Sequence, residues 1–162
     1  MIREAKTQDL NTITDIYNDA IRDTTAVYTY YETTVEERKQ WMMKKQNEGW
    51  PLWVCEIEGK IAGFATYGTF RDWPAYQYTI EHSIYVSTQY RRKGVASKLL
   101  MHLIEDAKKK GYQTIVAGID ASNQGSILLH ERHGFVAAGV LRQVGYKFDR
   151  WLDLAFYQLQ LK

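Results

Sequence analysis

The segment Ile80–Leu100, IEHSIYVSTQYRRKGVASKLL, decides how this chain folds. Its opening part, Ile80 to Val86, has the β-branched and aromatic character of a strand, interrupted by one acid, Glu81. From Val95 onward, Ala96, Leu99, Leu100, Leu103, Ile104 and Ala107 follow helical spacing. Between the two lie Arg91, Arg92, Lys93 and Gly94. A strand that enters a helix through a basic, glycine-containing turn predicts an α/β unit with the turn at the helix N-terminus. The first N–H groups of a helix have no intrahelical partner, and the macrodipole adds partial positive charge there. Such a turn is an anion site, and phosphate suits it. Gly94 and the small Ala96 let an anion approach the backbone. Basic side chains are unfavourable at that end of a helix, so helix stability does not explain Arg91–Lys93, whereas a bound anion does. The spacing matches neither GxxxxGK(S/T) nor GxGxxG, which argues against a P-loop and a dinucleotide fingerprint.

Upstream, Ile2–Ala5 reads as a short strand. Thr7 is expected to cap a helix whose buried face carries Leu10, Ile13, Ile16, Tyr17, Ala20 and Ile21. TVEE, with Thr34 and Glu37, is a capping box for a second helix that ends near Gly49, before Pro51. PLWVCEIEGKIAGFATYGTF is two strands about a Glu58-Gly59 turn. Downstream, Lys108–Lys110 and Gly111 close the central helix. TIVAGI is a buried strand, SILLHERHGF a short helix, and FVAAGVLRQVG and DLAFYQLQL two last strands. The order β-α-α-β-β-β-α-β-α-β-β predicts a mixed central sheet with helices on both faces.

The 162 residues carry 45% hydrophobic and 25% charged side chains, ordinary globular composition. No repeat or linker divides them, so one domain over 1–162 is expected. A net charge of +2 and one short basic patch argue against nucleic acid. No apolar run is long enough to span a membrane. The lone Cys55 and the absence of a signal-peptide pattern lead to the expectation of a cytoplasmic protein. His130 and His133 stand too close in sequence for an HExxH motif, so no metal is expected.

Arg91-Arg92-Lys93-Gly94-Val95-Ala96 resembles the (Q/R)-x-x-G-x-(G/A) motif of the GNAT N-acetyltransferases, and Asn123 followed by a short helix and His133-Gly134-Phe135 resembles the second half of that signature. AYQYTIEHSIYVSTQYRRKGVA, VGYKFDRWLDLAFYQLQL and IYNDAIRDTTAVY are similar to the phosphinothricin and methionine sulfoximine acetyltransferases within that superfamily, over nearly the whole chain. The resemblance implies a GNAT fold, acetyl-CoA as cosubstrate, a small amino-acid-like amine as acceptor and a homodimer. It implies that the backbone of Ile84, Tyr85 and Val86 pairs with pantetheine. Arg92, Lys93, Gly94, Val95, Ala96 and Ser97 would hold the pyrophosphate, with Asn123 and Arg132 as further cofactor contacts. Glu81 falls at the general base, and Arg71, Trp73, Tyr76 and Tyr78 fall in the acceptor-binding stretch. Trp73 stands where family members often carry a basic residue.

Acetyl transfer to an amine needs the uncharged nucleophile, and a carboxylate can take the proton. Burial would raise the pKa of Glu81 and make it a better base; the alternatives are an acid facing solvent or one paired with Arg71. His130 occupies the position where many GNAT enzymes have a tyrosine that protonates the departing thiolate. An imidazole can serve there, or the ring can be a packed helix histidine bonded to backbone. Other acceptors (a protein N-terminus, an antibiotic) and a non-catalytic CoA sensor stay open at this level.

Overall fold

A computed structural model describes residues 1–162. The strands are β1 (Ile2–Glu4), β2 (Leu52–Ile57), β3 (Lys60–Thr69), β4 (Thr79–Val86), β5 (Thr114–Asp120), β6 (Val136–Lys147) and β7 (Arg150–Gln160), and the helices are α1 (Leu10–Asp23), α2 (Val35–Asn47), α3 (Val95–Lys109) and α4 (Gln124–Arg132). All seven strands form one sheet in the order β1-β2-β3-β4-β5-β7-β6. Only β4 and β5 pair in parallel. The mixed sheet with helices on both faces is therefore as expected from the sequence.

Two cores follow from strand alternation, since neighbouring residues point to opposite faces. Leu52, Val54 and Phe64 pack under α1 and α2 against Leu10, Ile13, Ile16 and Met42. Trp53, Cys55, Ala65 and Tyr67 face the other way, onto Leu99, Leu100, Leu103 and Ile104 of α3. Leu99, Leu100 and Leu103 are wholly buried, so each is worth about 2–5 kcal/mol against truncation to alanine.

The capping box at Thr34 is present: its hydroxyl accepts from Glu37 N, while the Glu37 carboxylate accepts from Thr34 N. The Glu58-Gly59 turn joins β2 to β3 with both residues at positive φ, as a tight hairpin requires. Thr7 does not cap α1. It opens a single 3₁₀ turn, Thr7–Asp9, and the Asp9 carboxylate caps it by accepting from Lys6 N at 2.7 Å. Asp9 also takes a bidentate pair from Arg3, which a threonine hydroxyl cannot match. The last hairpin is longer than its sequence signal. It extends to a Phe148-Asp149 turn in which both residues adopt positive φ without glycine.

One departure from regular pairing shapes the molecule. β4 and β5 pair only from Thr79–Glu81 to Thr114–Val116 and then diverge. β4 stays on β3 through Val86, and β5 stays on β7 through Asp120. The sheet is split into a wedge whose apex lies at Glu81. Past its mouth, the loop after α1 is tied down by Thr25, which donates to Asp120, and by Lys147, whose Nζ donates to Thr24 O and Val27 O. Burial works against the Asp120 charge, but the hydroxyls of Thr25 and Ser122 and the Ser122 N–H outweigh it and hold that carboxyl below its ordinary range.

Candidate active site

The wedge opens into a cleft of about 780 Å³. One wall is the free edge of β4, where Ile84, Tyr85 and Val86 have strand partners on the β3 side alone. The end is the turn into α3. There Arg92 (φ 63) and Gly94 (φ 76) both adopt left-handed backbone conformations. Gly94 does so without cost, and no atom lies within 4 Å of where its Cβ would be. No side chain caps α3; its first internal bond runs from Lys98 N to Gly94 O. The N–H groups of Val95, Ala96 and Ser97 are thus left for another acceptor, beside the side chains of Arg91 and Arg92.

The structure brings most of the expected cofactor residues to this cleft: Ile84, Tyr85, Val86, Arg92, Gly94, Val95, Ala96, Ser97, Asn123 and Arg132 all line it. Lys93 does not. Its Nζ lies 5.7 Å from the centre of the ring of Tyr90, which does line the cleft. Asn123 also has a structural task, since its Oδ1 accepts from Ser126 N and caps α4. The Ser97 hydroxyl is 2.8 Å from Nε2 of His133, which ties the start of α3 to the end of α4. Tyr28 and Gly118 line the cleft as well and carried no sequence signal.

Glu81 stands at the apex. Its carboxylate reaches across to β5, where a Cβ on Gly118 would lie 3.4 Å from Oε2. Burial raises its pKa above the ordinary carboxylate value, and the nearby charge of Arg71 only partly opposes this. The two residues form no ion pair, so the half-buried Glu81 carboxylate is not neutralised by Arg71. It also lines a second pocket of about 280 Å³, between β3, β4 and the two N-terminal helices. The two cavities share Glu81, Ser83 and Tyr85.

His130 is at the cleft wall and only 5% exposed. Its Nδ1 is 2.7 Å from the Ser126 carbonyl oxygen, a contact that requires the proton on Nδ1. Its Nε2 is 3.0 Å from Nε2 of His82, whose ring stacks on Phe135. With Nδ1 of His130 donating to the carbonyl, its Nε2 accepts from His82. Neither nitrogen directs a proton into the cleft, and burial lowers the pKa of both rings, His82 to about 3. The packed-histidine alternative is the one the geometry matches.

The stretch expected to bind the acceptor lies outside both cavities. Trp73 is 75% exposed and Tyr78 60%. A 3₁₀ turn at Pro74–Tyr76 carries these side chains outward, where Tyr76 packs on Phe70 and Arg71 folds back onto Phe70. The second pocket is lined instead by residues that sequence reasoning did not assign to a site, among them Tyr17, Arg38, Trp41 and Lys45.

A family model described as the acetyltransferase (GNAT) family matches residues 12–135. An L-methionine sulfoximine/L-methionine sulfone acetyltransferase from Salmonella typhimurium is 41% identical over 160 residues, covering 99% of this chain and 94% of that protein. The crystal structure of an N-acetyltransferase from Staphylococcus aureus Mu50 is 62% identical, with a TM-score of 0.99 over 100% of this chain and 98% of that one. A phosphinothricin acetyltransferase from Sinorhizobium meliloti, solved in complex with AcCoA, is 32% identical, with a TM-score of 0.96 over 99% of this chain and 87% of that one.

Proposed function

The chain belongs to the GNAT acetyltransferase family, and from that premise we propose that it transfers acetyl from acetyl-CoA to the amine of a small amino acid of the methionine sulfone, methionine sulfoximine or phosphinothricin type, with Glu81 as general base. One observation carries the reading: a half-buried carboxylate with raised proton affinity is shared between the wedge and a second, amino-acid-sized pocket.

The cleft fits the cosubstrate by its own chemistry. The uncapped N–H groups of Val95–Ser97, with Arg91 and Arg92, suit a pyrophosphate. The unpaired edge of Ile84–Val86 suits an arm of amide groups that can pair as a strand would. Acetyl-CoA supplies a thioester that an uncharged amine attacks, the C–N bond forming as the C–S bond breaks and the thiol departs. Glu81 accepts the proton from the acceptor ammonium, directly or through water. Backbone N–H groups at the β4 edge near Val86 would donate to the carbonyl oxygen as its charge grows. Arg71 is assigned to the acceptor side, because its charge is the one felt at Glu81. Trp73, Tyr76 and Tyr78 form the outer rim there.

We place the protein in a reducing compartment, in keeping with a buried free thiol at Cys55; no helix is long and apolar enough to cross a membrane. A homodimer is supported by β6, an edge strand that exposes Val136, Val140, Leu141 and Val144.

The test is CoA thiol release with acetyl-CoA against a panel of amino acids and their sulfone, sulfoximine and phosphinic analogues. Acceptor-dependent release with at least one of these is expected. Acetyl-CoA binding with no release for any amine would leave a sensor in place of an enzyme.

A further inference from the structure

The second pocket holds more positive charge than the fold uses. Arg38 and Lys45 both project from α2 into it, two turns apart on one helix face. The Arg38 guanidinium lies 4.3 Å from the centre of the Tyr17 ring and 4.0 Å from that of Trp41. The two rings occupy it by cation–π contact, and its N–H donors remain. Its Nε is buried and has no hydrogen-bond partner. Lys45 donates to the Tyr67 carbonyl oxygen at 3.0 Å and has two further protons to give. Its Nζ would sit 3.3 Å from a Cβ on Gly68, so the missing side chain leaves the ammonium its place.

Neither cation has a carboxylate partner. Burial disfavours both charges; at Lys45 it outweighs the opposing pull of Glu48, Arg38 adds to it, and the ammonium is held down to about 8. Half-buried like charges with unused donors are costly, and proteins ordinarily pair them. Here the pairing group is missing from the fold, which is what a preorganised anion site requires. The acid that lines the same pocket is Glu81, and it is already assigned to the amine. At about 280 Å³ the pocket is just below the range of about 300–1,000 Å³ typical of drug-sized ligands, suited to a free amino acid.

Resting on the acetyltransferase reading above, we propose that Arg38 and Lys45 bind the α-carboxylate of the acceptor while Glu81 takes the proton from its α-amine. The pocket then reads both polar ends of a free amino acid. A peptide N-terminus, with an amide in place of the carboxylate, leaves the two cations unpaired and is rejected.

The experiment pairs a protein change with a substrate change. L-Methionine sulfone is compared with 3-(methylsulfonyl)propylamine, which lacks the carboxylate, in the wild type and in Arg38→Gln, each checked for folding by thermal melting. Wild-type kcat/KM should fall about tenfold to a hundredfold when the carboxylate is removed, the value of a charged hydrogen-bonded pair. Arg38→Gln should lose a similar factor with methionine sulfone and little more with the amine, with the KM for acetyl-CoA unchanged. Equal losses on both acceptors overturn the proposal. If Arg38→Gln does not fold, Lys45→Gln is read in the same way. If no amine is acetylated at all, the acetyltransferase reading fails, and calorimetry of L-methionine sulfone with CoA-loaded protein decides the pocket separately: binding lost in Arg38→Gln supports it, and equal or absent binding in both proteins overturns it.

Discussion

The cleft and the smaller pocket share Glu81, yet they are built in opposite ways. The cleft is mostly backbone: a free strand edge, a left-handed turn and the first N–H groups of α3, nearly all from one contiguous stretch. The pocket is mostly side chain: Tyr17 from α1, Arg38, Trp41 and Lys45 from α2, and Thr66 and Gly68 from β3 meet there only on folding. Backbone sites constrain spacing and glycine positions, so they leave a signature in sequence. Side-chain sites assembled across the chain leave scattered residues that look like ordinary surface or core.

Substitutions on the two sides of Glu81 should therefore separate in their kinetics. The largest effect is expected at the shared carboxylate. Glu81→Gln should lower kcat about 10²- to 10⁴-fold, the usual range for general-base loss. Acetyl-CoA affinity by calorimetry should change little, because the cleft's anchors are untouched. Next is Gly94→Val, which forces a β-branched residue into φ 76 and puts a side chain beside the phosphate turn. It should weaken acetyl-CoA by tenfold or more while leaving Arg38 and Lys45 able to bind methionine sulfone. Intact acetyl-CoA affinity in this variant would break the division between the two cavities.

A third, smaller effect concerns stability. Partly buried His82, its pKa depressed first by desolvation and then by His130, binds fewer protons when folded than the unfolded chain, whose histidine titrates near 6.5. The protein should therefore hold full stability above about pH 6.5 and lose about 1.4 kcal/mol per pH unit from this group as pH falls toward 3. His82→Phe should flatten that acid slope in denaturant titrations; an unchanged slope would place the sensitivity elsewhere, for example in Asp9 and Asp120. The smallest effect is expected for His130→Phe. With both its nitrogens engaged within the protein, kcat should change less than about threefold and the pH profile should keep its shape. A lost basic limb would restore His130 as the thiolate's proton donor.

The sequence was most informative where backbone geometry is demanding. Gly94, the Thr34–Glu37 capping box and the Glu58-Gly59 hairpin are all where their local patterns predict. Glu81 stood out because an acid inside a strand is costly unless it is solvated or paired. The orientation of Lys93 was not legible, since a lysine in an exposed turn obeys no spacing rule. The outward course of Trp73–Tyr78 was equally illegible: aromatic content shows that a side chain wants apolar contact but not on which side it finds it. Arg38 and Lys45 looked like ordinary members of a charged helix, and only their facing Tyr17, Tyr67 and Glu81 across the sheet sets them apart.

The central claim is that the carboxylate lining both cavities takes the proton from the acceptor. The pH dependence of kcat/KM for L-methionine sulfone, at saturating acetyl-CoA, tests it most directly. In the wild type the acceptor ammonium is itself productive, so activity should hold below the amine's pKa and fall only as Glu81 protonates, at a pKa above its ordinary 4.5. Glu81→Gln should depend on the free amine and lose activity from the amine's pKa downward. The same pH dependence in both proteins would contradict a proton transfer to Glu81.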